Sequence, residues 1–193
     1  KELLNFCTVD LSSFYFDIRK DVLYCDSKDS EKRKSTLILL NIILNSLLKW
    51  FAPILSFTTE EIYQLISKKN KSIHLENFLD FPKKFENEKI ERKWEELIKI
   101  RDICNISIEE KRASKEIGSS LEAELQIKLN KKFEQVVNGI DLAELCITSK
   151  AQIYFDDQAD VDVVTKKSSG KKCSVCWKIR IDPCERHPKC QII

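Results

Sequence analysis

The stretch Thr36 to Ile66, TLILLNIILNSLLKWFAPILSFTTEEIYQLI, constrains the fold more than any other part of the chain. Asn41, Asn45 and Lys49 fall four apart and form one narrow polar stripe on a 3.6-residue helix. Leu37, Leu40, Ile43, Leu44, Leu47, Leu48 and Phe51 cover the remaining circumference. A helix apolar on so many sides is expected to be wrapped by others. It ends at Ala52-Pro53, because proline lacks the amide hydrogen and disfavours helix in the residue before it. A second helix is expected to restart at Phe57, with Thr58 as cap and Glu61 as its capping-box partner. The run approaches the length of a membrane span, but two asparagines and a lysine inside it argue for a bundle instead.

On either side the periodicity is also helical. Lys1 to about Tyr24 carries Leu3, Leu4, Phe6, Leu11, Phe14, Ile18 and Val22 for burial, and Ser30 is placed to cap the central helix through the Arg33 amide. The adjacent aromatics Phe14, Tyr15 and Phe16 point in different directions on a helix, which suits core packing better than a base-stacking platform. Ser72 to Phe78 looks like an extended crossing segment, with His74 as a hydrogen-bonded structural histidine. From about Glu88, the series Ile90, Trp94, Leu97, Arg101, Cys104, Ile108 steps by four and three, an apolar seam broken only at Arg101. Gly118 is the expected left-handed stop.

Beyond that point the period changes. Glu124 to Leu129 alternates as a half-buried strand does, and Ile147 to Phe155 reads as a second. Lys131 to Cys146 between them has helical spacing, and Val161, Val163 and Val164 suggest a further short strand. Asp156, Asp157, Asp160 and Asp162 lack the spacing of a calcium loop and fit a solvated turn. The predicted fold is therefore mainly α: an antiparallel helical bundle over 1–118, a small α+β module over 119–165, and a basic zinc-binding knuckle over 166–193.

That last segment holds the chemistry. Cys173, Cys176, Cys184 and Cys190 crowd the final 21 residues of 193, with His187 among them. The spacing Cys173-x2-Cys176 puts two thiolates on one tight turn, two corners of a zinc tetrahedron, and Cys184-x2-His187 repeats it. Four of these five are expected to bind structural zinc, with Cys190 able to replace a member of the second pair. A disulfide pair is disfavoured without a secretory leader. With all positions filled by protein there is no open site for a reactive water, so the metal is expected to fold the tail and catalyse nothing. The other cysteines, Cys7, Cys25, Cys104 and Cys146, lie singly in apolar contexts and read as buried reduced thiols in a cytoplasmic protein. The net charge of +2 hides an asymmetry, since Lys166 to Lys189 has eight basic residues against two acids while the remainder is net −4. Such an end is the electrostatic footprint of a nucleic-acid contact, although a lysine-rich segment is often only a solvated linker. There is no methionine and the first residue is Lys1, so the chain reads as a piece from the C-terminal part of something longer.

Several stretches together resemble isoleucyl-tRNA synthetases of the bacterial type. They are Asp10 to Tyr24, Ala52 to Tyr63, Ser72 to Glu76, Lys115 to Ala123, and Lys172-Cys173-Ser174-Val175-Cys176-Trp177, in the family's order along nearly the whole chain. The helical anticodon-binding bundle is shared with the valine, leucine and methionine synthetases, and the terminal Cys-x2-Cys-Trp points to isoleucine. The resemblance implies that 1–118 is most of the anticodon-binding bundle without its first helices, 119–165 a junction domain, and the tail a zinc module gripping the anticodon arm of isoleucine tRNA. Lys171, Lys172, Trp177, Lys178 and Arg180 are the expected RNA contacts, with packing over the zinc knuckle as the rival role for Trp177. Cys184-Glu185-Arg186-His187 departs from the family's Cys-x-Arg-Cys in its last member and follows a shorter spacer.

The family's two ATP-site signatures, His-x-Gly-His and Lys-Met-Ser-Lys-Ser, are absent. Lys111-Arg112-Ala113-Ser114-Lys115 imitates the second superficially, but is expected to lie inside the long helix. ATP and isoleucine activation are therefore expected only in a catalytic part elsewhere in the parent, with this piece inactive alone, monomeric and bound to neither membrane nor DNA. The competing expectations are a zinc-ribbon nucleic-acid binder, such as the finger of a DNA-repair glycosylase, and a zinc-stapled helical scaffold.

Overall fold

The structure, a computed structural model, describes residues 1–67, 71–157 and 160–186. They fall into two compact units, one formed by Lys1–Ser27 with Asn87–Ile193 and the other by Lys28–Glu86, a division that cuts across the three segments expected from the sequence.

The first unit begins with α1 (Glu2–Asn5), a π-helical stretch (Phe6–Phe16) and α2 (Asp17–Cys25). In the wide stretch the Ser13 hydroxyl donates to the Thr8 carbonyl five residues back. Leu11 is its buried position, and Ile18 and Val22 are those of α2. Next comes α5 (Glu88–Ala113), capped by Asn87, whose Oδ1 accepts from the Lys89 and Ile90 amides. Its buried stripe is Leu97, Ile100, Cys104 and Ile108, while Ile90 at the start of the expected seam is exposed. Arg101 fits the seam because its Nε donates to the Leu145 carbonyl at 3.1 Å and its guanidinium lies 5.2 Å from the centre of the Phe14 ring. The helix stops five residues before Gly118. The left-handed residue is Lys115, φ 59°, whose side chain is outside the helix, so the Lys111–Lys115 imitation spans a helix end and its turn.

The sheet has the order β2-β1-β3, with β1 (Ala123–Leu129), β2 (Lys150–Phe155) and β3 (Val161–Lys167). The first pair is parallel (Ile127↔Ile153) and the second antiparallel (Leu125↔Thr165). Alternation in β1 turns Ala123, Leu125, Ile127 and Leu129 to one face, where they meet the α5 stripe in a continuous core that also takes Ile18. Ser107 on α5 and Thr165 on β3 share a 2.8 Å hydroxyl contact at its edge. The helical pattern expected over Lys131 to Cys146 is realised as two short pieces, α6 (Glu134–Val137) and α7 (Leu142–Leu145). Gly139, φ 75°, breaks the run and Asp141 recaps it through the Ala143 and Glu144 amides. β2 begins at Lys150 and not at Ile147, which is left-handed with φ 55°. The acidic turn is met by Lys131 and Lys132, which pair with Asp157 and Asp160.

In the second unit α3 (Glu31–Phe51) is capped by Ser30 through the Arg33 amide, as the sequence indicates. A turn after Phe51 leads to α4 (Ser56–Ile66), which starts before Thr58 and has no side-chain cap. Glu60, not Glu61, is the structural carboxylate, accepting from Ser72 and the Ile73 amide. Those bonds fold Ile73–Leu75 into a 3₁₀ turn within the segment expected to be extended, and His74 Nε2 lies 3.3 Å from the Ser56 carbonyl. Leu48, Ala52, Tyr63 and Ile73 form this unit's core. The expected wrapping of α3 is not found here. Within Lys28–Glu86 it packs against α4 and the 3₁₀ turn, and Leu37, Ile38 (64 % exposed), Leu39, Ile42 and Leu44 stay at the surface. One neighbouring helix covers only part of a helical circumference. No helix among the described residues is long and apolar enough to cross a membrane.

Candidate metal centre and nucleic-acid surface

β3 ends at Lys167, and after three intervening residues the chain enters a two-stranded hairpin, β4 (Lys171–Lys172) and β5 (Ile179–Arg180), paired Lys171↔Arg180 and Lys172↔Ile179. Gly170, φ 125°, makes the entry possible, since a Cβ there would come within 2.3 Å of the Arg180 carbonyl oxygen. Residues 173–178 form the knuckle. The Cys173 amide donates to the Lys178 carbonyl, the Trp177 amide donates to the Cys173 carbonyl, and Trp177 itself is left-handed at φ 63°.

This turn brings Cys173 and Cys176 together with Cys184 in one buried cluster of thiols, with the half-buried Cys25 from the end of α2 packed against it. Burial is the main reason the Cys176 thiol is pushed up to about 12; a hydrogen bond from the Lys178 amide opposes it and the neighbouring Cys173 and Cys184 add to it. Cysteine sulfurs are donors that a soft divalent cation binds as thiolates, releasing their protons. Among the described residues no group of three or more histidine, cysteine or carboxylate side chains is arranged around one point as metal ligands are. His187 and Cys190, the remaining candidates, lie outside the described residues.

The knuckle is fastened to α2 by charge. Arg186 donates from Nη1 to Asp21 Oδ2 at 2.5 Å, and from Nη2 and Nε to Asp26 Oδ1 at 2.5 and 3.0 Å. Burial raises the Asp21 carboxyl, but the Arg186 guanidinium and the Lys178 ammonium outweigh it and hold the group below its ordinary value. Arg186 is held above its own. Cys25 is pushed up to about 11, chiefly by burial and then by the Asp21 carboxylate beside it, and its Sγ faces the Val175 carbonyl at 3.7 Å. Nothing in the sequence marked Asp21, Asp26 or Arg186 as partners, because 160 to 165 residues separate them.

The expected RNA contacts divide by orientation. Lys171, Lys172 and Trp177 are exposed, and the Lys172 ammonium stands 5.1 Å from the centre of the Trp177 indole. Trp177 is 59 % exposed, which leaves most of its surface outside the knuckle's core. Lys178 turns inward, 5 % exposed with Nζ 3.9 Å from Asp21. Arg180 is half-buried, and its Nε has no hydrogen-bond partner among the described residues.

A family model described as the anticodon-binding domain of tRNA ligase matches residues 1–128. The isoleucine–tRNA ligase of Pelagibacter ubique (strain HTCC1062) is 64 % identical over 187 residues, covering 97 % of this chain and 21 % of that protein. Those of Agrobacterium fabrum (strain C58) and Rhodopseudomonas palustris (strain CGA009) are 37 % and 38 % identical over 193 residues. The two alignments cover 94 % and 92 % of this chain, and 20 % and 19 % of those proteins. The chain thus spans about a fifth of the length of the relatives it matches.

Proposed function

The chain belongs to the anticodon-binding domain family of tRNA ligases, and from that premise we propose that it is the RNA-recognition part of an isoleucine–tRNA ligase, taking the anticodon arm of isoleucine tRNA. The observation that carries this is the 64 % identity to one such ligase across almost the whole chain. Joining isoleucine to tRNA with ATP would fall to parts of the longer protein that carry the phosphate-binding signatures missing here. Cytoplasmic location and a monomeric state are part of the same proposal.

The exposed end of the hairpin supplies the grip in physical terms. Unpaired loop bases offer π faces, and an indole backed by an ammonium, as in Trp177 and Lys172, is a stacking platform contributing about 1–3 kcal/mol per base. Lys171 and Lys172 form no ion pair among the described residues and can neutralise phosphates, whereas Lys178 is engaged by Asp21. Zinc, when bound by Cys173, Cys176 and Cys184 with a fourth ligand, would supply folding free energy to a hairpin too short to order itself. Three buried thiols in one cluster fit that role.

Fluorescence anisotropy with labelled isoleucine tRNA tests the proposal. Binding that weakens when the anticodon is changed, and that exceeds binding of duplex DNA, is the expected result. Equal affinity for all three would overturn it.

A further inference from the structure

Cys25, the last residue of α2, packs against the cluster of Cys173, Cys176 and Cys184 although it belongs to the other end of the chain. Its Sγ lies 3.7 Å from the carbonyl of Val175, a residue inside the Cys173-x2-Cys176 turn and 150 positions away in sequence. It is held there from both sides. Arg186 bridges Asp21, one helical turn before Cys25, and Asp26, directly after it, and Lys178 Nζ stands 3.9 Å from Asp21. Arg186 and Lys178 each follow a thiol of the cluster by two residues, Cys184 in one case and Cys176 in the other. The ion pairs therefore bring the end of α2 to both of the loops that carry the thiols. Cys104 and Cys146, by contrast, lie in the α5 and sheet core and take no part in this cluster.

We infer that Cys25 is the fourth protein ligand of the zinc taken by Cys173, Cys176 and Cys184, so that the tail is tied to α2 through the bound metal. The inference rests on the zinc reading above and names the ligand which that reading leaves open. A structural zinc site closes with four protein donors, and four thiolates are one of its ordinary sets. The tail's second pair provides one thiol, Cys184, with His187 as its other member. Cys25 supplies a further sulfur from a helix end that ion pairs hold in place. A donor fixed in that way loses little additional conformational freedom when the metal is taken up. The Lys178 amide donates to the Cys176 sulfur, the kind of outer hydrogen bond that orients a metal thiolate. Each thiol releases its proton to solvent as it becomes a thiolate, and no electrons move, so uptake needs no other reagent. Because the described donors pack together without surrounding a common point, the discriminating measurement is a count of the sulfurs that the metal takes.

The test loads the full 193-residue chain with cobalt(II) in place of zinc and reads its absorption, because the ligand-field bands and the thiolate-to-metal charge transfer report how many sulfurs bind. The wild-type chain is expected to give the spectrum of a tetrahedral site with four sulfurs. Cys25→Ala should lower zinc affinity by about tenfold or more and give the spectrum of a site with one sulfur fewer. Cys25→His, which keeps a donor at the helix end, should restore the affinity and give a spectrum of three sulfurs and one nitrogen. His187→Ala and Cys190→Ala should both leave the wild-type spectrum unchanged. A thiol that only packs on the site would let Cys25→Ala weaken binding without moving the bands, and that result overturns the inference. So does a wild-type spectrum that His187→Ala or Cys190→Ala alters, and zinc binding by the tail then stands without Cys25. If Cys25→Ala fails to fold, Cys25→His decides alone, since its bands must differ from the wild type if this position is a ligand and must coincide with them if it is not. A wild-type chain that takes up neither cobalt nor zinc overturns the zinc reading and the role of Cys25 with it.

Discussion

Arg186 shows how much one side chain can hold. Its three donors converge on two carboxylates at the end of α2, all of them less than a third exposed. Removing one partner of such a network leaves the others desolvated and unpaired, which costs more than the pair contributes in water. Arg186→Ala should lower the stability of the hairpin's attachment by about 2 kcal/mol, read as faster amide exchange through residues 171–180. The acid side is set by Asp21. Its pKa is depressed in the folded state, so the stability it contributes is present above the ordinary carboxylate range, near pH 4, and is lost as pH falls through the folded value. Asp21→Asn should remove that part of the acid dependence, leaving a shallower loss of stability between about pH 5 and pH 2 than the wild type shows. At this scale the sequence is legible only where pattern suffices. Cys173-x2-Cys176 announces a knuckle by spacing alone, but Lys171, Lys172 and Lys178 are indistinguishable in a run of charge until the turn sends one of them to Asp21. Arg101 was visible as the break in a seam, while its partners, Phe14 and the Leu145 carbonyl, come from remote parts of the chain.

Among the elements, α5 and β1 are the pair whose periodicity most fully specified their packing. Period 3.6 in one and period 2 in the other each define a face, and the two faces are the two sides of one core. Leu97→Ala inside it should cost about 2–5 kcal/mol in a urea titration, whereas Ile106→Ala on the same helix's solvent face should change stability by less than about 0.5 kcal/mol. Helix ends were less legible because a glycine marks where a left-handed residue is cheap and does not require one. The chain turns at Lys115 and reaches Gly118 with ordinary backbone. Lys115→Gly should therefore stabilise the protein by up to about 1 kcal/mol, the cost of a left-handed L-residue. Gly118→Ala should be tolerated, because the nearest atom its Cβ would meet is Glu122 Oε1 at an ordinary 3.5 Å. The expected helix over Lys131 to Cys146 failed for the converse reason, since Gly139 is a position where positive φ is used.

For the whole molecule, the apolar clusters are separate and unequal, and unfolding should follow that inequality. The α5 and sheet core is large and contains none of the knuckle thiols, while the knuckle's own buried cluster consists of cysteines. Chelation should then free the hairpin without melting the sheet: after treatment with a strong zinc chelator, protease should cut within 171–186 while amides of β1 remain protected. Simultaneous loss of both would mean that the metal-dependent and apolar parts form one cooperative block. The second unit depends on a smaller cluster of Leu48, Ala52, Tyr63 and Ile73 and leaves Ile38 and Phe57 in water. Opening free energy tracks buried apolar contact, so α3 and α4 should exchange their amides before β1 does, with or without metal. Exchange of α3 as slow as that of β1 in the isolated chain would show that the long apolar helix is protected by burial beyond what its own unit provides.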